Sequence, residues 1–388
     1  MSNLDTIIDF GSKNLRLCVF NQSSEKIYSS NIKIDEVLEN DNLDKALKKL
    51  VRDAEKQLST HLADVNILYD SPEFNFIDFS IKKSFDQPTL ISKYYKTLVE
   101  EANFIISENN FRDQVIHIDI NNIIVDDNRK LENLFDDIKI KSLKLEIKFI
   151  CLKKSTINNL SNKFKKNNLN ILCIYCSSYV KSFFYKKSID TRKNIIFLDI
   201  GYERTSALFF NNNKFEFFNS VPIGGNNITK DISKVLKLDI SYSEDLKRKF
   251  DQNENEISFD KNSKNDINLF SEISEKNISI DLLKQVIQAR VDEIINISII
   301  QNNYFKNINF SEKPKIIFIG NGSKLISFIN NFNLKNSFSE LIFFDESDIK
   351  ICEAGINYHK SDERSLINIE KKLKKTGFFE KFFNLFSR

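Results

Sequence analysis

Residues 194–221, NIIFLDIGYERTSALFFNNNKFEFFNSV, decide how the chain is to be read. Ile195 to Ile200 is an apolar run of the length of one buried strand. Gly201 to Arg204 interrupts it with a turn, Thr205 to Phe210 resumes as a strand, Asn211 to Asn213 turns again, and Lys214 to Val221 forms a third strand. The stretch predicts a three-strand meander whose first strand ends on Asp199-Ile200-Gly201.

The chain opens on the same plan. Asp5 to Phe20 is an apolar stretch carrying Asp9-Phe10-Gly11, a turn at Gly11 to Asn14, then alternation through Leu15, Leu17 and Val19. A repeat this widely spaced is too long for a solenoid unit and suits a duplicated domain with a site between the copies. Between the copies, Leu43 to Leu58 and Thr89 to Ile106 have helical periodicity, while Val115 to Val125 and Leu143 to Leu152 read as strands, a mixed α/β insertion. Ser155 to Asn167 predicts a helix, Leu169 to Cys176 a strand and Ser177 to Lys187 a helix. Beyond the second meander, Ile228 to Leu236 and Asp281 to Tyr304 read as helices, Asp251 to Asn268 as a loose surface loop, and Lys315 to Ile319 as a buried strand. Gly320-Asn321-Gly322-Ser323 then turns into a helix over Lys324 to Asn330. The expected division is 1–190, 191–357, a polar and basic linker over 358–376, and a terminal helix over 377–388.

Composition narrows the function. With 388 residues, 41% hydrophobic and 29% charged, the chain is long enough for two globular domains. A net charge of +3 from 57 basic and 54 acidic residues gives no basic face of the kind nucleic acid requires. Five cysteines, an odd number, form no disulfide framework and favour a reducing compartment. Cys173 and Cys176 have no second pair and read as core, and His61, His117 and His359 form no recognisable pattern. No apolar run reaches transmembrane length, so contact with a membrane is expected at its surface.

Chemistry concentrates in three turns. A hairpin turn with converging N–H groups can cradle phosphate, and a carboxylate at the preceding strand end can hold Mg²⁺ through water beside it. Asp9 with Gly11, Ser12 and Asn14, and Asp199 with Gly201 and Thr205, supply that arrangement twice. Gly320, Asn321, Gly322 and Ser323 place glycines where a backbone approaches a flat ring closely, as an adenosine requires. At the chain's end, Phe378, Phe379, Phe382, Phe383, Leu385 and Phe386 gather on one helical face behind Lys371, Lys372, Lys374 and Lys375, the pattern of an in-plane membrane anchor that favours anionic lipid.

In this order the three turns resemble those of the actin-like ATPase superfamily, and within it the FtsA family. Val221-Pro222-Ile223-Gly224-Gly225-Asn226 through Thr229-Lys230-Asp231-Ile232 is similar to the family's segment after the second phosphate hairpin, and Ala289-Arg290-Val291-Asp292-Glu293-Ile294 to its later helix. The resemblance implies an α/β fold of duplicated ribonuclease-H-like domains with an inserted subdomain at about residues 80–160 and a C-terminal amphipathic helix. It implies ATP and Mg²⁺ in the cleft between the halves, with Gly224 and Gly225 joining the nucleotide-binding residues and Asp9 and Asp199 on the metal side. It also implies a division protein that polymerises on the cytoplasmic face of the membrane at the septum, tethers FtsZ and meets other division proteins. The sequence departs from the family at Tyr202-Glu203-Arg204, where a glycine-rich turn is usual, so at most weak hydrolysis is expected, with Arg204 able to pair with Glu203. Tyr175 to Val180 offers Ser177 and Ser178 but no carboxylate or Gln to orient water. The rival readings are a PilM-like pilus-assembly adaptor and a small-molecule kinase, the latter needing a placed base.

Overall fold

A computed structural model describes residues 4–34, 40–126, 129–131, 138–189, 193–251, 256–257, 278–308, 310, 312–327 and 337–361. The chain divides into two compact units. The first comprises the described residues of 1–190, 214–217 and 348–388, the second those of 191–213 and 218–347.

In the first unit, β1 (Asp5–Phe10), β2 (Asn14–Phe20) and β3 (Lys26–Lys33) form an antiparallel meander. Helix α1 (Asn40–Leu58) then leads to β4 (Asp64–Tyr69), which joins β1 in parallel, and β9 (Asn170–Cys176) joins β4 in parallel, giving the order β3-β2-β1-β4-β9. Alternation sends successive side chains of β1 to opposite faces. Ile8 packs with Leu47, Leu50 and Ala54 of α1 and with Leu160 and Phe164 of α3 (Lys154–Lys166). Ile7 faces the other way, towards Gly355, where an added Cβ would stand 2.9 Å from Ile7 Cγ2. With both faces covered, the strand can be apolar throughout.

The insertion has its own core. β5 (Phe74–Leu90), α2 (Ile91–Asn109), β6 (Asp113–Val125), β7 (Arg129–Leu131) and β8 (Lys139–Lys153) build a sheet of order β5-β8-β6-β7. Leu98, Val99, Ala102 and Ile106 of α2 meet Leu143, Leu145, Ile147 and Phe149 of β8, each fully buried large side chain contributing roughly 1.5–3 kcal/mol. Pro88 is tolerated because β5 is an edge strand, and its pairing with β8 shifts register between Ser84 and Thr89.

The second unit repeats the central plan. β10 (Ile195–Ile200) pairs antiparallel with β11 (Thr205–Asn211) and parallel with β13 (Lys315–Ile319), and β14 (Glu340–Phe343) adds in parallel, while β12 (Lys214–Val221) lies outside β11. The order is β12-β11-β10-β13-β14. Helix α5 (Gly225–Leu236) is clamped to α7 (Ile280–Ile295) by Arg290, whose Nε and Nη2 donate to the two carboxylate oxygens of Asp231 at 2.5 and 2.9 Å. The two segments that carry the family resemblance after the second hairpin therefore touch through a bidentate pair.

Three expectations change. The single helix read over Asp281 to Tyr304 is α7, a π-helical turn over Asn296–Ile300 and a short helix over Asn303–Lys306. Asn302 starts that last piece, its side chain accepting from the Tyr304 N–H at 2.9 Å, which favours a new helix over continuation. The described residues from Asp348 belong with the first unit rather than with 191–347, because α8 (Asp348–His359) packs on β1, β2 and α4 (Ser177–Lys186). Tyr358 and His359, read as linker, are its buried last turn. The loop over 251–268 is described only at 251 and 256–257. Residues 362–388, with the rest of the expected linker and the amphipathic helix, lie outside the described residues. Among the described residues no helix is long and apolar enough to cross a membrane.

Candidate functional site

In the second unit the turn after Asp199 closes on itself, the Gly201 N–H donating to the Arg204 carbonyl at 2.9 Å. The Arg204 side chain folds back along it, with Nη2 donating to Asp199 Oδ2 at 2.9 Å and Nη1 to the Asp199 carbonyl at 2.8 Å. Asp199 is 0% exposed and Arg204 4%. The expected partnership of Arg204 with Glu203 gives way to this one, and Glu203 is exposed. Thr205, read as a phosphate contact, donates its hydroxyl to the Ile223 carbonyl at 2.7 Å, fixing the connection into α5.

The N-terminus of α5 is closed by the same turn. Gly225 and Asn226 N–H donate to the carbonyls of Gly201 and Tyr202 at 2.9 and 2.7 Å, and the Gly224 N–H donates to Asn227 Oδ1 at 3.0 Å. First-turn N–H groups of a helix are free to hold an anion only when nothing else takes them. Here two of them hold the hairpin. Gly224 is required for that approach, since a Cβ would lie 2.7 Å from the Gly201 and Tyr202 carbonyl oxygens and 2.8 Å from the Arg204 nitrogen.

The third turn meets the end of β10. Gly320 sits at φ 84 and donates its N–H to Glu346 at 2.7 Å, Ser323 donates its hydroxyl to the Gly320 carbonyl at 2.6 Å, and Gly322 lies over Ile200. Asp199, Gly201, Gly224, Gly225, Gly320 and Gly322 are thus brought together around one strand end. Exposed Asn321 and buried Ser323 flank the last of them.

Sequence reasoning missed a neighbouring cluster. Lys247 on α6 (Ile240–Lys249) is 6% exposed, and its ammonium donates to the Gly225 carbonyl at 3.0 Å, to Thr229 Oγ1 at 2.8 Å and to Glu244 at 2.6 Å. Burial works against the Glu244 charge, but Lys247, Thr229 and Arg248 outweigh it and hold this carboxyl below its ordinary range. The Tyr202 ring faces the Lys247 ammonium at 5.7 Å. Ser-Glu-Asp-Leu-Lys-Arg-Lys reads as a solvated helix face, and nothing in its pattern reveals that two of its charges are inside.

The first unit makes a parallel arrangement by other means. The Gly11 N–H donates to the Asn14 carbonyl at 3.2 Å, and Ser12 at the tip is exposed. Asp9 is taken by Arg16, Nη1 to Oδ2, at 2.7 Å. The Arg16 Nε donates to Asp348 at the head of α8, and Asp348 also accepts from Asn31. Burial opposes the Arg16 charge, yet Asp9 and Asp348 overcome it and raise its pKa. Burial pushes the Asp9 carboxyl up, opposed by Arg16 and then Lys181. Asp348 is likewise opposed by burial, but Arg16 holds it below the usual carboxylate range. A carboxylate does reach the Ser177-Ser178 segment: Asp70, just past β4, accepts from the Ser178 N–H at 3.2 Å and from its hydroxyl at 2.9 Å. It was missed because it comes from a different strand end.

The two aspartates read as metal-side residues do not fit a hydrated Mg²⁺. That ion keeps several waters and needs an open carboxylate oxygen, whereas Asp199 and the 6%-exposed Asp9 are buried against arginines. No group of three or more His, Cys, Asp or Glu side chains that could hold a metal converges among the described residues.

Residues 196–371 match the family model described as Cell division protein FtsA, a stretch that contains the Asp199, Gly224 and Gly320 turns. No curated protein matches the sequence. Among solved structures, the chain is similar to that of a PilM-PilN type IV pilus biogenesis complex, at 13% identity and TM-score 0.55 over 90% of each chain. It is also similar to the ethanolamine utilization protein EutJ from Carboxydothermus hydrogenoformans, at 11% identity and TM-score 0.45 over 88% of this chain and 85% of that one. MreB5 of Spiroplasma citri bound to ADP matches at 10% identity and TM-score 0.44 over 94% and 99%. At 13% identity the likeness to the PilM-PilN structure is one of fold. Residues 196–371 thus carry the match to the FtsA family, and the architecture repeated in the two units has a fold similar to that of the PilM-PilN structure.

Proposed function

We propose that the chain binds ATP through its glycine turns and assembles with copies of itself into actin-like filaments. These filaments hold FtsZ to the cytoplasmic face of the membrane at the division septum, alongside other division proteins. The observation that carries this reading is the family match over residues 196–371, which spans the second-unit turns. Supporting it, those turns gather at the end of β10. The nucleotide acts as a structural ligand. Arg204 fills the turn that would cradle a leaving phosphate, and Asp70 is engaged by Ser178. Phosphate release therefore stays near background, and a turnover of several per second, within the ordinary enzyme range, would favour the kinase reading instead.

The membrane step rests on the sequence of residues 377–388. Burying one Phe is worth roughly 1.5–3 kcal/mol, of which interfacial insertion realises a part for each of Phe378, Phe379, Phe382, Phe383 and Phe386. Each nearby Lys adds about 1 kcal/mol at an anionic surface. The wild-type chain is expected to sediment with anionic liposomes and to carry FtsZ with it, while Phe382→Glu with Phe383→Glu leaves both in the supernatant. Truncation after Thr376 leaves a folded body that still binds ATP. Undiminished sedimentation of the double variant would place the helix on the protein rather than on lipid. The likeness to the PilM-PilN complex structure favours a second reading, a pilus-assembly adaptor. Capture of a PilN-type peptide with no capture of FtsZ would put it first.

A further inference from the structure

The two aspartates that a magnesium–nucleotide site would use are each neutralised from within the fold. They are neutralised by different routes. Arg16 lies on β2 directly across the ladder from Asp9, whereas the residue across from Asp199 is Ser206, and its arginine comes from the turn itself. Duplication of the hairpin does not explain a pairing reached from two unrelated positions. Arg16 and Arg204 are 7% and 4% exposed, so neither pair is a loose surface contact. At Asp199 one carboxylate oxygen holds Arg204. The other faces the Gly320 backbone so closely that a Cβ there would come within 2.5 Å of it. At Asp9, Lys181 adds a second cation to that of Arg16.

Resting on the ATP reading above, we propose that this chain binds its nucleotide without magnesium, its arginines holding the carboxylates that a hydrated ion would need. A guanidinium is permanently charged and donates in a fixed fork suited to carboxylate and phosphate oxygens. Arg204 on Asp199 and Arg16 on Asp9 leave neither carboxylate with an uncompensated charge that calls for the ion. A magnesium ion entering either site would have to strip a buried aspartate from its arginine and leave that arginine's charge uncompensated.

The test is equilibrium binding of a fluorescent ATP analogue to the full chain, in excess magnesium chloride and again in EDTA at matched ionic strength. The two dissociation constants are expected to agree within about threefold, and weakening by more than about tenfold in EDTA overturns the proposal. Absence of binding in both buffers removes the ATP reading itself, and this inference with it, so the two failures look different. Arg16→Gln, checked for native circular dichroism, uncovers Asp9 and is expected to make magnesium strengthen binding by about tenfold. A folded Arg16→Gln protein as indifferent to magnesium as the wild type shows that the arginine does not take the ion's place.

Discussion

Gly320→Ala is expected to destabilise the second unit by about 3–5 kcal/mol, read as an earlier urea or thermal transition. Two independent terms make the cost. Gly320 sits at φ 84, ψ 153, a conformation that L side chains rarely adopt, and holding one there costs about 1–3 kcal/mol. An added Cβ would also lie 2.5 Å from both Asp199 Oδ1 and the Ile200 carbonyl oxygen, and overpacking of this kind typically costs about 1–3 kcal/mol. Neither neighbour can yield cheaply. Asp199 is held by Arg204, and Ile200 ends the fully buried strand β10, paired on both sides by β11 and β13. Gly355→Ala provides the contrast. Its nearest neighbour is the Ile7 Cγ2 methyl at 2.9 Å, further off than the 2.5 Å contacts at Gly320, its φ is unremarkable, and a smaller loss is expected. Equal stability of Gly320→Ala and the wild type would mean that the third turn does not press on β10 as described.

That contrast also shows which parts of the molecule its sequence makes legible. β10 and the Asp199 turn are readable because a fully buried strand must be apolar throughout and its turn must not be. The insertion is readable at β6 and β8, whose alternation builds one face of a core. Strands β3, β4 and β14 are not readable, because short runs such as Glu340–Phe343 carry too few residues to define a period. At the site, the glycines announce themselves by type. Their spending does not: whether the N–H groups of Gly225 and Asn226 are open to phosphate or taken by the Gly201 and Tyr202 carbonyls depends on how two distant segments pack. The same holds for Lys247 and Glu244, charged residues on an apparently solvated helix, and for Arg16, whose partners lie on either side of it in sequence and far apart. His117 and His359 are the sharpest instance, formless in sequence yet both set against Tyr175, while His61 stays exposed beside Glu55.

His117 on β6 is 1% exposed, among the rings of Tyr175, Tyr179 and Tyr358. Its Nε2 accepts from the Cys176 N–H at 2.9 Å, so the proton of the neutral ring resides on Nδ1, which donates to the Tyr358 hydroxyl at 2.9 Å. This ring therefore ties the insertion to the end of β9 and to the last turn of α8. Burial lowers its pKa from 6.5 to about 3. Between those values the unfolded chain binds a proton that the folded one refuses, so stability rises with pH and is lost as acid is added; above about pH 6.5 both states are neutral and the contribution to the slope vanishes. The loss from this one ring is about 2 kcal/mol at pH 5 and about 3 kcal/mol at pH 4. Asp119, which accepts from Tyr179, is raised by burial and acts with the opposite sign, so the His117 contribution is read as the difference between the wild type and a variant that lacks the ring. The measurement is urea denaturation of both proteins at pH 7.5 and at pH 5. His117→Gln can keep both hydrogen bonds, one oxygen accepting from Cys176 and one amide donating to Tyr358, while removing the titration. Between pH 7.5 and 5 it should lose about 2 kcal/mol less than the wild type. If the variant and the wild type lose stability in parallel, His117 does not resist protonation in the fold, and the acid sensitivity has to come from the ion pairs instead.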